Sequence, residues 1–577
     1  MKIELAKHSG FCVGVRNAVN KIVKEINNCD DNILIHGPLI HSPQTVEILE
    51  KRGLKIIKND VNINNQIVAI RTHGIPRQEY KEIKKNAKRI INLTCSNVAH
   101  VQGIVKKYSL KGYFTIILGD KNHAEVKGIS SYASGKFFVV SSTDDIINIP
   151  DAEKYILVSQ TTLDFDFFYK TTYVLKEKYK NIVILNTICN ATDDRQTDLL
   201  LAVKNGVDAI IVVGGKNSAN TKRLVQIGAE NNVKTFHIET EDELNHDDFT
   251  DVKYVIITAG ASTPSWIINN VLEKVYEINF RNKTNLLYLL KSFIEFIIRT
   301  NIFSAIITII MTLTILPCRI YECNLIIPLV SSAFIFLMYS INNLFRPFEM
   351  KLSKPFKYNL YKKHKYLLII LTFVALIYYL YYSLQTENKT AILYSVALVS
   401  GFIYAIPKVA KIASNNSIKL VRIIFGIKSV VTSIGWVFVA LVIPFIIKPY
   451  NFYQFLSIFL IIFSIVFIRN LLLDLIDYHG DLLLGIETFP TIFGINITKT
   501  VIISLCILYV TSIIYNMLKI NPLSILYLIN MIYYYFIYKK IKKKYYFYIL
   551  KYEFLIDLNL LLFALFATIN DFINPLI

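Results

Sequence analysis

The sequence lacks any CxxC pair, although it holds seven cysteines: Cys12, Cys29, Cys95, Cys189, Cys318, Cys323 and Cys506. That absence excludes zinc ribbons and thioredoxin-type redox pairs, and the odd number at wide spacing excludes a secreted disulfide scaffold. An apolar signal region is also missing at the start, where Met1 to Ala6 is charged and strand-like. The first half is therefore expected in the cytoplasm with reduced thiols. No repeat of roughly 20–50 residues and no low-complexity block is present, which excludes solenoids and arrays. Acidic side chains are scarce in one half only. Residues 1–280 carry 35 basic and 32 acidic side chains, whereas 281–577 carry 28 and 11. The formal charge of +20 thus belongs to the half with long apolar runs. Basic loops between apolar spans mark a membrane protein, so no nucleic-acid partner is expected.

The chain has 577 residues, a hydrophobic fraction of 53% and a mean hydropathy of +0.42. This is too long for one ordinary domain, and the averages blend a soluble half with an apolar one. Across 1–280, short apolar strands alternate with helical patterns. The strand candidates are 32–37, 66–74, 113–120, 154–162, 181–187, 209–215 and 254–262. Strand, small or polar turn, then helix is the grammar of a parallel α/β fold, whose ligands gather at the carboxyl ends of strands. Residues 281–299 have the pattern of an amphipathic interfacial helix. Nine apolar segments follow, near 302–316, 324–341, 366–384, 390–407, 429–447, 452–472, 499–517, 521–537 and 552–570. Lys and Arg cluster in alternate loops (Arg346 to Lys365, Lys408 to Arg422, Lys539 to Lys551), which places those loops and the N-terminal half on the cytoplasmic side of the cell membrane.

Three cysteines stand in polar, turn-like contexts: Cys12 in GFCVGVRNAV, Cys95 in TCSNV and Cys189 in NTICNATDDRQ. Their even spacing assigns one to each lobe of a three-lobed domain. Three converging thiolates suit an iron–sulfur cluster with one iron left open, while the plainer reading is buried free cysteine. The neighbouring motifs are HGPLIHSPQTV, RTHGIP, GDKNHAEVKG, SQTTL, GGKNSANTKRL and TAGASTP. They bring His41, His73, His123, Glu125, Thr161, Thr162, Ser218, Asn220 and Ser262 to strand ends. Neutral His, Ser, Asn and backbone amides are good partners for a diphosphate.

With these motifs in this order, 1–280 resembles the iron–sulfur enzymes of the 4-hydroxy-3-methylbut-2-enyl diphosphate reductase family. The resemblance implies a [4Fe–4S] cluster on Cys12, Cys95 and Cys189. It implies a diphosphate held by His41, His73, His123, Ser218, Asn220 and Ser262. Glu125 becomes the proton source, and one of Thr161 and Thr162 orients the substrate hydroxyl. The family removes that hydroxyl with two electrons and two protons from an unassigned donor of the ferredoxin or flavodoxin kind, giving isopentenyl and dimethylallyl diphosphate. A carboxyl that must donate needs a raised pKa, hence a buried Glu125. Two departures are Ala219, where a second Ser is expected, and Asn92, where an Asp commonly precedes the ligand cysteine.

In the second half, RNLLLDLIDYHGDLLLGIETFP puts Asp474, Asp477 and Asp481 on one helix face. Carboxylates beside a membrane span are costly, and Mg²⁺ bridging to a diphosphate is their natural use; the plainer reading is a solvated helix end. With the nine spans and GIKSVV around Lys428, about 290–577 resembles the UbiA-type intramembrane prenyltransferases. In that family two Asp-rich loops hold Mg²⁺ and a prenyl diphosphate. Asp474, Asp477 and Asp481 match the second loop. The first survives as INNLFRPFEMKLSKP, where Asn342 matches but Asn343, Arg346 and Met350 stand at the Asp positions and Glu349 is one place off. Arg346 offers phosphate a cation instead of a metal carboxylate.

The expected architecture is a three-lobed α/β iron–sulfur domain over 1–280, an amphipathic linker over 281–299, and an all-α membrane domain of nine transmembrane helices over 300–577. The expected function is the reductase, with a membrane domain that uses prenyl diphosphates. The rival readings are a bifunctional reductase and prenyltransferase, and a membrane-anchored redox sensor without turnover.

Overall fold

A computed structural model of the chain describes residues 1–29, 31–57, 63–281, 285–315, 325–385, 388–405, 428–447, 451–486, 488–519, 522–543 and 549–573. Cys318, Cys323 and the basic stretch Lys408 to Arg422 lie outside the described residues. The chain divides into two units, Met1–Asn279 and Phe280–Ile577.

The first unit holds three four-stranded sheets, every strand pair parallel. The first sheet runs β1 (Lys2–Leu5), β12 (Tyr254–Ala259), β10 (Ala209–Val213), β11 (Lys234–Ile238). The second runs β3 (Leu54–Ile57), β2 (Ile33–His36), β4 (Ile67–Ile70), β5 (Arg89–Asn92). The third runs β7 (Phe137–Val140), β6 (Phe114–Leu118), β8 (Tyr155–Ser159), β9 (Ile182–Ile184). The helices are α1 (Val13–Asn28), α2 (Pro43–Lys51), α3 (Arg77–Asn86), α4 (Ser96–Leu110), α5 (Ala124–Ser130), α6 (Phe165–Lys178), α7 (Asn190–Lys204), α8 (Ala219–Glu230) and α9 (Ser265–Arg281).

The central strands are apolar on both faces because helices cover both. Ile33, Ile35, Val68, Ile116, Leu157, Ile210 and Ile257 are all fully buried. The chain visits the sheets in order and returns to the first. It leaves the first sheet after β1 through α1, the second after β5 through α4, and the third after β9 through α7. Each crossover helix opens at a cysteine: Cys12, Cys95 and Cys189 are the residues that cap them.

The second unit is helical. Five of its described helices are long and apolar enough to cross a membrane: Ile326–Leu344, Lys365–Leu384, Ser429–Ile446, Phe452–Tyr478 and Ile495–Leu518. A bent pair, Leu289–Arg299 with Ile302–Leu313, meets at 69° and makes a sixth if it counts as one span. Among the described residues the remaining expected spans do not meet that length and composition. The stretch at 390–407 is a short apolar helix, Asn388–Ile403. That at 521–537 begins as a 3-10 turn, Pro522–Tyr527, and its helix runs into Lys539 and Lys540. That at 552–570 carries Glu553 and Asp557. The amphipathic stretch expected as a linker contains the helix Asn285–Arg299. The core gathers around the helix Phe452–Leu484, where Ile465, Val466, Leu471 and Leu472 are fully buried. At 33 residues that helix measures about 50 Å, more than the ~30 Å of a hydrocarbon core. Gly485 ends it in the left-handed conformation, φ 73°.

Candidate active site

Cys12, Cys95 and Cys189 line one cavity of ≈ 100 Å³ in the first unit, together with His41, His73, His123, Glu125, Thr161, Thr162, Ser218, Asn220 and Ser262. Every site residue expected in this half is therefore in one place. The topology explains it: the lobes meet at strand carboxyl ends, and these residues occupy the turns there. Capping adds a second reason. A thiolate at the start of a helix faces unpaired backbone N–H groups and the positive end of the helix dipole. Val15 N donates to the Cys12 Sγ at 3.4 Å.

Neighbouring contacts draw the thiols together. A Cβ on Gly14, in α1, would lie 2.5 Å from the Cys95 Sγ and 3.9 Å from the Cys12 Sγ, so only glycine lets the two approach across it. Asn97 Nδ2 donates to the Cys189 Sγ at 3.0 Å. Burial pushes the Cys95 thiol up, and a coordinated metal would offset that by its own charge. Among the described residues, only His41, His73 and His123 form a triple of potential ligands with all ligand atoms within 4.8 Å of one another. The thiols share the cavity at wider spacing, as ligands that each hold a different iron of a cluster would. The donor set, three Cys at helix starts and no fourth, fits a cluster with one iron open to substrate.

The histidines form a chain, with ring centroids 4.9 Å apart for His41–His73 and 5.5 Å for His73–His123. Burial holds His73 neutral, its pKa lowered to about 3 with His41, His123 and Arg71 adding repulsion. Burial lowers His41 and His123 as well. Three neutral imidazoles beside a guanidinium repel a cation and suit an anion. Asn220 is 4% exposed, and both its side-chain Nδ2 and Oδ1 are buried without a hydrogen-bond partner. An orphaned amide is costly unless a ligand completes it. Ser218 caps α8 and accepts from Thr221 N, and Ser262 Oγ donates to the His41 carbonyl at 3.4 Å. A Cβ on Gly215 would stand 2.4 Å from that carbonyl, so the β10 turn must close tightly over the His41 loop.

Glu125, in the first turn of α5, is 1% exposed. Its Oε1 accepts from Thr161 N at 2.7 Å and its Oε2 from Thr161 Oγ1 at 3.1 Å. Burial outweighs these bonds and raises its pKa to about 6. Thr162 is turned to Gln160, whose Nε2 donates to its Oγ1 at 2.9 Å. Arg71, Asn97 and Gln160 were not singled out from sequence. Asn97 acts on Cys189, 92 residues away, and no spacing rule reveals that.

The second unit has a cavity of ≈ 480 Å³ lined by Asp474, Asp477, Asp481, Asn342, Arg346, Lys354 and Glu553 on its polar side and by Phe334, Met338, Ile434 and Phe438 on its apolar side. The side chain of Lys428 lies outside what the structure describes. Lys354 was not expected in the site. Its Nζ reaches Asp477 Oδ2 at 2.7 Å and Glu553 Oε1 at 3.4 Å, and the carboxylates hold its pKa high against desolvation. Ser429 Oγ donates to Asp474. The Arg346 Nε and Asn342 Oδ1 are buried without a hydrogen-bond partner. Deeper in, Arg469 pairs with Asp557 at 2.7 Å and donates to Tyr339 OH at 2.9 Å.

Comparison with known proteins places the first unit in a family. Residues 3–276 match the family model described as LytB protein. The 4-hydroxy-3-methylbut-2-enyl diphosphate reductase of Alkaliphilus oremlandii is 38% identical over 277 residues, covering 48% of this chain and 99% of the relative. The chain belongs to the LytB family. The enzyme of the same name from Geotalea daltonii is 41% identical over 278 residues, covering 48% of this chain and 98% of the relative. A solved reductase, described as the terminal enzyme of the non-mevalonate pathway, is 37% identical, with a TM-score of 0.40 over 48% of this chain and 100% of its own. A solved digeranylgeranylglyceryl phosphate synthase is 18% identical, with a TM-score of 0.32 over 49% of this chain and 98% of its own. The LytB family region ends where the first unit ends, so the helical unit is an addition to it.

Proposed function

We propose that the LytB unit removes the allylic hydroxyl of 4-hydroxy-3-methylbut-2-enyl diphosphate. Two electrons and two protons convert the substrate to water and a mixture of isopentenyl and dimethylallyl diphosphate. The observation that carries this reading is the cavity that unites three capping cysteines, three neutral histidines, the orphaned Asn220 amide and a buried Glu125. A [4Fe–4S] cluster on Cys12, Cys95 and Cys189 would supply the electrons and a Lewis-acid iron. His41, His73, His123, Ser218, Asn220 and Ser262 bind the diphosphate by neutral hydrogen bonds, and Arg71 adds positive charge behind them. Thr161 fixes the Glu125 carboxyl, and Glu125 holds the proton that leaves with the hydroxyl oxygen as water. With a pKa of about 6, roughly a tenth of Glu125 is protonated at pH 7, and a bound diphosphate raises that share. Turnover of the substrate by full-length protein under anaerobic conditions, with a reduced ferredoxin, flavodoxin or viologen, tests it. Iron and sulfide retained without turnover would favour the redox-sensor reading instead.

For the helical unit we infer a multi-pass domain of the cell membrane that binds a prenyl diphosphate, with the LytB unit on the cytoplasmic side. Support comes from the five apolar helices, the basic loops and the cavity with one polar and one apolar side. Asp474, Asp477 and Asp481 are the candidate Mg²⁺ carboxylates, and a Mg²⁺ at Asp477 has to displace the Lys354 ammonium. Asn342 and Arg346 belong to the altered first loop and, with Lys428, are the candidate diphosphate partners. With that loop stripped of its aspartates, transfer to an acceptor is slow or absent. Binding of a labelled prenyl diphosphate in nanodiscs, with and without Mg²⁺, tests this.

A further inference from the structure

Each pair of cluster cysteines is linked by a contact between segments remote in sequence. Gly14 lets Cys12 meet Cys95, and Asn97 joins the Cys95 turn to Cys189. The third link, between Cys189 and Cys12, is made by Arg195. This residue stands in α7, the helix that Cys189 caps, and is 3% exposed. Its Nη1 donates to the Ala191 carbonyl and its Nη2 to the Gly10 carbonyl. Ala191 and Gly10 each lie two residues from a cluster cysteine. One turn further along α7, Asp198 accepts from the His8 backbone N–H at 2.7 Å and approaches the His8 Nδ1 at 3.1 Å. The loop from β1 to Cys12 is thus strapped along α7 at two points. It turns at Gly10, φ 81°, and is fixed again where Cys12 N donates to the Ala261 carbonyl at 3.0 Å.

We propose that Arg195 is a positioning residue with two separable duties toward the cluster. Its fork sets the spacing of Cys12 and Cys189, and its charge favours the reduced state. The physical reasons are distinct. Two carbonyls on segments remote in sequence, the loop after β1 and the start of α7, accept from one rigid, planar guanidinium, a geometry an ammonium cannot copy. A fixed positive charge in a buried setting stabilises the more negative redox state, and net charge near a cluster is a main determinant of its potential. Asp198 shares the first duty only, since it holds the loop through His8. The inference rests on the cluster reading above but adds residues outside its ligand set.

The test uses the full-length protein, reconstituted anaerobically, with iron and sulfide content, the rate of cluster loss in air, and an electrochemical titration followed by electron paramagnetic resonance. Arg195→Met is expected to lose both duties: faster cluster decay, and a roughly tenfold weaker preference for the reduced state, about 59 mV lower for one electron. Arg195→Lys should keep the potential of the natural protein yet lose the cluster faster in air. Asp198→Ala should likewise lose the cluster faster in air. If Arg195→Met does not fold, the Lys and Ala variants carry the test. A potential in Arg195→Lys that falls by the full tenfold equivalent overturns the charge assignment, and cluster lifetimes in Arg195→Lys and Asp198→Ala equal to the natural protein overturn the strap. Absence of any cluster in the natural protein would instead sink the reading on which this rests.

Discussion

Glu125→Gln separates proton delivery from binding because the side chain keeps its shape and its anchorage. The amide oxygen still accepts from Thr161 N, and the Thr161 hydroxyl, which donates to the carboxylate, rotates to accept from the new NH₂. Cluster content and diphosphate binding should therefore be unchanged. The rate should fall at least about 10²-fold, the scale of general acid catalysis. The natural protein should lose kcat as pH rises above the Glu125 pKa of about 6, and the variant should lose that dependence. Stability gives a second readout. Below the usual 4.5, the carboxyl is protonated in folded and unfolded chains alike. As pH rises from 4.5 to about 6 the unfolded chain ionises first, and the fold loses about 2 kcal/mol relative to it, a loss complete above the folded pKa. Gln carries no such loss. In urea, with exposure of the buried Trp266 as signal, the variant should be more stable than the natural protein at pH 8 by up to about 2 kcal/mol and equal to it at pH 4. A rate within a few-fold of the natural protein would remove Glu125 from proton delivery. Equal stability at both pH values would refute the raised pKa.

Replacing Cys12, Cys95 or Cys189 by Ser should abolish cluster retention and turnover, whereas Cys29→Ser should do neither; a full cluster in Cys95→Ser would sink the ligand set. Asn220→Ala removes an amide that has no protein partner, so the empty protein should be no less stable while KM rises roughly tenfold or more. Unchanged KM would place the diphosphate elsewhere. Cysteine labels near Tyr358 and Lys543 should react only from the cytoplasm, and one near Asn388 only from outside; the reverse pattern overturns the orientation. Any Mg²⁺-dependent prenyl transfer should be slow and should need Arg346, Asp474 and Asp477, and ordinary turnover that survives Arg346→Ala would refute that account of the first loop.

The seven strands proposed from apolar runs include all six central ones, β2, β4, β6, β8, β10 and β12, and the edge strand β9. Edge strands β3, β5, β7 and β11 were not among them, being four or five residues long. Each is only partly buried, as in Arg89–Asn92 and Lys234–Ile238, because one side of an edge strand meets solvent. The cysteines, histidines and Glu125 were legible because each sits in a short polar turn after a strand. Arg195, Asn97 and Arg71 were not, since each contacts a partner that only the closed topology brings near. In the membrane half, composition revealed apolar runs but not which of them carry charges into the packed interior. Lys354, Glu553 and the Arg469–Asp557 pair meet across helices far apart in sequence.

The return of the chain to its first sheet has a consequence for synthesis. β1 leaves the ribosome before the other strands of the unit, but its partner β12 is the last of them, and Cys12 waits on the same closure through Ala261. At about 5–20 residues per second, the nascent chain carries β1 unpaired for roughly ten seconds to a minute. By then the first apolar helices are emerging. Loading of the proposed cluster and membrane insertion of the proposed spans would therefore fall in the same interval, and slowing either one would expose the other's unfinished intermediate.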